Sequence, residues 1–138
     1  MIDNILVDSS VWIDFFHKNN QSVKADVLQE LILKENNIFI CPVIYQEVLQ
    51  GIRDDKTFGE IKNILLSAFM LNNDIMHVTE YAIDLYRYLR KKGITIRKQY
   101  DCIIASYAIL NDLQIFHNDT DFDNIEKLSK LKIFSYKQ

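Results

Sequence analysis

Asn4-Ile5-Leu6-Val7-Asp8-Ser9-Ser10-Val11-Trp12-Ile13 runs three apolar residues together and then breaks on an acid and two hydroxyls. A short apolar run without alternation is the pattern of a strand covered on both faces. Ser9 or Ser10 can cap the helix that follows, in which Val11, Trp12, Phe15 and Phe16 recur at helical spacing. The order strand, acid, helix then returns along the chain. Apolar runs predict further strands over 38–41, 75–78, 114–117 and 133–136. Helical spacing predicts helices over 23–34, from Pro42 to about 52, over 58–70, from a Thr79 cap to Gly93, and from near Asp101 to about 111. Strands alternating with helices indicate an α/β layered fold with a mainly parallel sheet. In such sheets sites form beyond the carboxyl ends of the strands.

Composition narrows the function classes. A chain of 138 residues predicts one domain over 1–138, able to bury about two-thirds of its surface. Only 3 Gly and 1 Pro argue against disorder and leave no glycine-rich phosphate loop. Cys41 and Cys102 lack CxxC spacing, so two buried reduced thiols are expected rather than a disulfide scaffold or a zinc site. The start lacks the basic region and apolar run of a signal peptide, and no stretch approaches the ~18 apolar residues of a membrane span, so a cytoplasmic protein is expected. A net charge of −3 does not suit a passive nucleic-acid coat. It is compatible with an enzyme that gathers carboxylates around cations, which reverse the local field.

Four acidic positions stand out by place. Asp8 closes the first strand, where an Asp is either a cap or a site residue. Asp101 shares a helix face with Ile104, Ala105 and Ala108, at offsets of three, four and seven, and so faces inward. A desolvated carboxylate must be paired, protonated or bound to a metal, or else serve as an N-cap. Glu47 flanks the stripe of Ile44, Val48 and Ile52, soon after a strand end; alone it reads as a surface acid. His117-Asn118-Asp119-Thr120-Asp121-Phe122-Asp123 follows another strand end and reads either as an acid-rich turn or as a loop whose Asp119 and Asp121 address one centre.

Carboxylates crowded at one sheet edge raise one another's pKa unless cations neutralise them. All-oxygen donors suit Mg²⁺ or Mn²⁺ over Zn²⁺. His17, His77 and His117 have no ligand spacing and read as ordinary polar residues. No GxSxG or Ser–His–Asp set is present, which leaves metal-assisted phosphodiester hydrolysis as the natural chemistry. A polyanionic substrate needs positive charge nearby. Arg87, Arg90, Lys91, Lys92, Arg97 and Lys98, six of the chain's 16 bases, fall within twelve residues leading into Asp101. They serve either to bind the phosphates of a nucleic acid or as a solvated helix end. Tyr81, Tyr86 and Tyr88 beside them stack on bases or pack.

Asp8-Ser9-Ser10-Val11-Trp12-Ile13, Glu47-Val48-Leu49-Gln50-Gly51, Asp101-Cys102-Ile103-Ile104-Ala105 and Asn118-Asp119-Thr120-Asp121-Phe122 together resemble the PIN-domain ribonucleases, most closely VapC-type toxins of toxin–antitoxin modules. The resemblance implies a three-layer α/β/α PIN-like fold, with a mainly parallel sheet of about five strands flanked by helices, and an endoribonuclease dependent on Mg²⁺ or Mn²⁺. It implies Asp8, Glu47, Asp101 and Asp119 as the acidic set, with Asp8 and Asp101 the most direct metal ligands and Asp121 the alternative fourth acid. It implies that Ser9 or Ser10 orients the first Asp, and that a homodimer is held in check by a small antitoxin. His117 stands where Thr is common and Ser9 where Thr is frequent; neither change removes a carboxylate.

Rival readings are a PIN nuclease of RNA maturation or structured DNA, which often carries extra domains, and a non-catalytic PIN-shaped interaction module. A phosphotransferase of haloacid-dehalogenase type wants an Asp where Ser10 stands. A receiver domain wants paired acids at the first strand and a late Lys in a set that is not found here.

Overall fold

The computed structural model describes residues 3–17 and 22–136. Five strands form one parallel sheet: β1 (Asn4–Val7), β2 (Asn37–Ile40), β3 (Phe69–Met70), β4 (Gln114–Phe116) and β5 (Lys132–Ile133), in the order β3-β2-β1-β4-β5. Helices α1 (Ser9–Phe16), α2 (Val23–Leu33), α3 (Pro42–Gln50), α4 (Asp55–Leu66), α5 (Ile75–Lys91), α6 (Gln99–Leu110) and α7 (Thr120–Leu128) flank it. This is the expected α/β/α architecture.

The chain winds outward from β1 through β2 to β3, then crosses back to place β4 on the other side of β1. The winding reverses between β1 and β4, and parallel sheets open a crevice at such a point. Register brings the two strand ends level: Leu6 pairs with Ile115 and Val7 with Phe116. The Asp8 N–H extends the ladder to the Phe116 carbonyl at 2.9 Å. Asp8 and the segment after Phe116 are therefore set side by side.

Apolar burial supplies the rigidity. Ile5, Leu6, Val7, Ile40 and Ile115 are completely buried, and Trp12 nearly so. Each such side chain contributes about 1.5–3 kcal/mol relative to exposure. The groups beyond the sheet edge need add nothing to stability, which leaves room there for unfavourable charge.

Three stretches differ from the sequence expectation. Residues 75–78 are the first turn of α5, not a strand. Asp74 caps that turn by accepting the His77 N–H at 3.0 Å; Ile75, Met76 and His77 face solvent, and Val78 opens the buried stripe that continues through Ala82, Leu85 and Leu89. Thr79 is inside the helix, its hydroxyl bonded back to the Ile75 carbonyl. The strand of this region is instead β3, at the end of the stretch expected to be helical: Phe69 and Met70 pair with Phe39 and Ile40. Finally, 120–128 form a helix, α7, started by Asp119 rather than lying in a loop. Smaller shifts move β4 to end at Phe116, β5 to Lys132–Ile133 and the start of α6 to Gln99. Gly93, at φ +87°, closes α5 as expected. No described helix is long and apolar enough to cross a membrane.

Candidate active site

Asp8 combines both readings open to it. One carboxylate oxygen, Oδ2, caps α1 by accepting the Ser10 N–H at 3.1 Å and the Ser10 hydroxyl at 2.5 Å. The other, Oδ1, is buried with no hydrogen-bond partner. Burial pushes the Asp8 carboxyl up against the lowering effect of these bonds. Ser10 also accepts the Asn118 N–H at 2.9 Å, which ties the end of β1 to the segment after β4. Ser9 does something else: its hydroxyl donates to Glu47 Oε1 at 3.2 Å. The two serines divide the work, Ser10 on Asp8 and Ser9 on Glu47.

Asp101 is not the cap of α6. Lys98 occupies the cap position, and Asp101 lies in the first turn, facing inward and 4% exposed. Its Oδ2 is buried without a partner. Burial, followed by the negative charges of Asp119 and Asp8, raises its pKa to about 7. Glu47, half-buried on α3, is also pushed up, first by burial and then by Asp8.

Asp119 and Asp121 come from the N-terminus of α7. Asp119 Oδ1 accepts the Asp121 N–H at 3.0 Å, and Oδ2 lies 3.4 Å from Lys98 Nζ. Burial pushes Asp119 up, but the Asp121 N–H and the Lys98 charge outweigh it and hold the carboxyl below its ordinary value. Asp121 is buried; its Oδ1 stands 3.7 Å from Arg97 Nε and its Oδ2 has no partner.

Asp101, Asp119 and Asp121 each offer one oxygen, all within 4.8 Å of one another. Asp8 and Glu47 belong to the same electrostatic unit, since Asp8 raises both Asp101 and Glu47. Of the acids picked out by sequence, Asp101, Asp119 and Asp121 meet directly, Asp8 and Glu47 act on them through charge, and Asp121 lies with Asp119 rather than replacing it.

Three buried carboxylate oxygens without a hydrogen-bond partner, Asp8 Oδ1, Asp101 Oδ2 and Asp121 Oδ2, are costly unless protonated or paired, and are of the kind a hard divalent cation takes. The nearby thiols do not compete. Burial pushes Cys41 up to about 12 and Cys102 to about 11, so both stay protonated near neutrality. The donor set fits Mg²⁺ or Mn²⁺.

Of the basic cluster, Arg97 and Lys98 reach the acids. Arg87 shares with Arg97 a cleft of about 670 Å³ between α5 and the start of α6. Arg90 and Lys92 stand over Tyr86 and Tyr88, each 5.7 Å from the ring centre, and Lys91 is exposed. Tyr86 packs against the core.

Sequence reasoning passes over His117 as an ordinary polar residue. It is buried, Nδ1 accepts the Asp119 N–H at 3.0 Å, and Nε2 lies 3.3 Å from Asp123 Oδ1. The available signal is its position between a buried strand and the acids.

A family model for the PIN domain matches residues 5–128. The chain is 32% identical over 133 residues to VapC ribonuclease Mb1587 of Mycobacterium bovis and equally to Ribonuclease VapC11 of Mycobacterium tuberculosis, covering 96% of this chain and 99% of each relative. Similar solved structures include DNA-bound VapBC from Salmonella typhimurium (TM-score 0.76, 16% identity, 97% of this chain and 98% of that one). Another is VapBC2 from Rickettsia felis bound to a promoter DNA fragment (TM-score 0.72, 20% identity, 99% and 100%). With the acids gathered at the β1–β4 crevice and the match spanning nearly the whole sequence, the chain belongs to the PIN-domain family, among its VapC-type members.

Proposed function

We propose that this protein is an endoribonuclease dependent on Mg²⁺ or Mn²⁺ and the toxin of a toxin–antitoxin pair. The relatives named VapC ribonuclease support the nuclease, and the VapBC complexes support the antitoxin partner. The observation that carries the metal dependence is the set of buried carboxylate oxygens left without partners on Asp8, Asp101 and Asp121.

In this reading Asp8, Asp101 and Asp121 hold the cation most directly, with Asp119 completing the set. A bound divalent cation lowers the pKa of water and screens the charge that develops on the phosphodiester. Glu47, the most solvent-accessible acid with a raised pKa, is placed to take a proton from the attacking water. Lys98 and Arg97 keep Asp119 and Asp121 oriented and present positive charge to the RNA backbone. The exposed bases at the end of α5 extend that field.

Apolar side chains left in water support protein partners. Ile32 on α2 and Ile64 on α4 are exposed and line a cleft with Trp12, Ile38 and Phe69, and Ile13, Leu33 and Leu66 are exposed on α1, α2 and α4. We assign this face to the antitoxin. Ile75, Met76 and Ile83 on α5 are exposed as well, and we assign them to the homodimer.

The test is cleavage of single-stranded and structured RNA by purified protein with Mg²⁺, with Mn²⁺ and with chelator. Cutting that needs the cation supports the proposal; cutting that persists in chelator, or none with either metal, refutes it.

A further inference from the structure

We propose that His117 is a positioning residue that sets the fourth acid of the site through the backbone of Asp119. The inference rests on the acidic cluster being a cation site, and it adds the element that aims part of that cluster.

The hydrogen bonds define the ring's state. Nδ1 accepts the Asp119 N–H at 3.0 Å, and a nitrogen that accepts carries no proton. Nε2 then carries it and donates to Asp123 Oδ1 at 3.3 Å. Only the neutral ring protonated on Nε2 makes both bonds at once. The ring is held in place by Phe122, centroid to centroid 5.1 Å.

The surrounding backbone is pinned twice more. The His117 carbonyl accepts Lys24 Nζ at 2.6 Å, and the Asn118 N–H donates to Ser10 Oγ at 2.9 Å. The ring adds the third point, at the residue whose carboxylate starts α7. Asp119 sits there in extended conformation, φ −141° and ψ 122°, so its N–H points away from the helix and needs an acceptor. From that anchored residue the Oδ1 bond to the Asp121 N–H sets the first turn that carries the Asp121 carboxylate. One imidazole therefore orients two acids without touching either carboxylate, and Asp123 holds the imidazole.

Two substitutions separate the ring's two hydrogen bonds. In His117→Asn the amide oxygen stands off Cγ as Nδ1 does and keeps an acceptor for Asp119. In His117→Gln the amide reaches towards Asp123 and leaves the Asp119 N–H without one. Mn²⁺ affinity, exchange of the Asp119 amide proton and thermal melting are measured on the full chain. We expect His117→Asn to stay within about threefold of the parent in Mn²⁺ affinity and to keep slow exchange. We expect His117→Gln to lose about tenfold and to exchange fast, as happens when the outer partners of metal ligands are removed.

Equal affinities in the two variants, or a protected Asp119 amide in His117→Gln, overturn the proposal. Long-range proton–nitrogen NMR of the metal-free parent gives a second test that needs no variant to fold. A proton on Nε2 is expected, and a proton on Nδ1 overturns the inference. Failure of the parent to bind Mn²⁺ sinks the cation site itself, whereas the exchange and ring measurements, made without metal, still decide whether His117 holds Asp119.

Discussion

Asp8 spends one carboxylate oxygen on Ser10, at 2.5 Å from its hydroxyl, and keeps the other buried with no partner. The arrangement fixes the direction of the acid while leaving half of it available. A helix cap can therefore stand in a cation site: capping needs one oxygen, and a cation needs the other.

Replacing Asp8 or Asp101 by Asn will lower RNA cleavage by at least about a hundredfold, because each removes a proposed direct ligand. Thermal melting in chelator will not fall for Asp101→Asn and is expected to rise, since a buried repelled charge is gone. Cleavage assays beside melting curves check both; full activity in both variants would refute the site assignment.

Metal-free stability will carry a pH dependence of opposite sign to that of an ion-paired acid. Asp101 moves from an ordinary 3.8 to about 7 on folding. Between those values the folded chain holds more protons than the unfolded one, so this group's contribution to stability falls as pH rises from 3.8 through 7. Asp119, held low, acts the other way and loses its contribution as pH drops through its folded value. The difference in melting temperature between the parent and Asp101→Asn isolates the first effect. Mn²⁺ should abolish it, and a difference that stays flat with pH contradicts it.

Ser10→Ala will destabilise the chain by about 1–2 kcal/mol, because the hydroxyl serves Asp8 and the Asn118 N–H together. Ser9→Ala removes one half-buried bond to Glu47 and will cost less. Denaturant titration of the two variants ranks them, and a larger loss in Ser9→Ala would reverse the division of labour between the serines.

Exchanging Lys91 and Lys92 for Glu will weaken RNA binding and flatten its salt dependence, by about 0.7 in the log–log slope for each phosphate that is no longer neutralised. Both lysines are exposed, so the fold should survive even though the Lys92 contact with the Tyr88 ring is lost. Binding measured across a salt series decides; an unchanged slope would assign these bases to solubility or to the antitoxin.

Local signals are enough for the element order from β1 through α4 and for α6 and β4, for β1 as a strand covered on both faces and for acids waiting at strand ends. Apolar spacing and caps act over a few residues, and they place Asp8, Glu47, Asp101 and Asp119 without any distant partner. The same signals fail where the deciding interaction is remote. β3 has two residues and exists because β2 offers it an edge, and α7 starts on a half-buried cap that lies among the other acids. Residues 75–78 look alike in a strand or in the first turn of a helix until the Asp74 cap and the core stripe are seen together.

Tertiary structure alone decided which oxygens lack partners, that Asp119 and Asp121 lie together, and that Ser10 and Ser9 bond different acids. It also set the His117 ring against the Asp119 N–H. Residues far apart along the chain meet only because β4 returns beside β1, and no periodicity within either segment encodes that meeting.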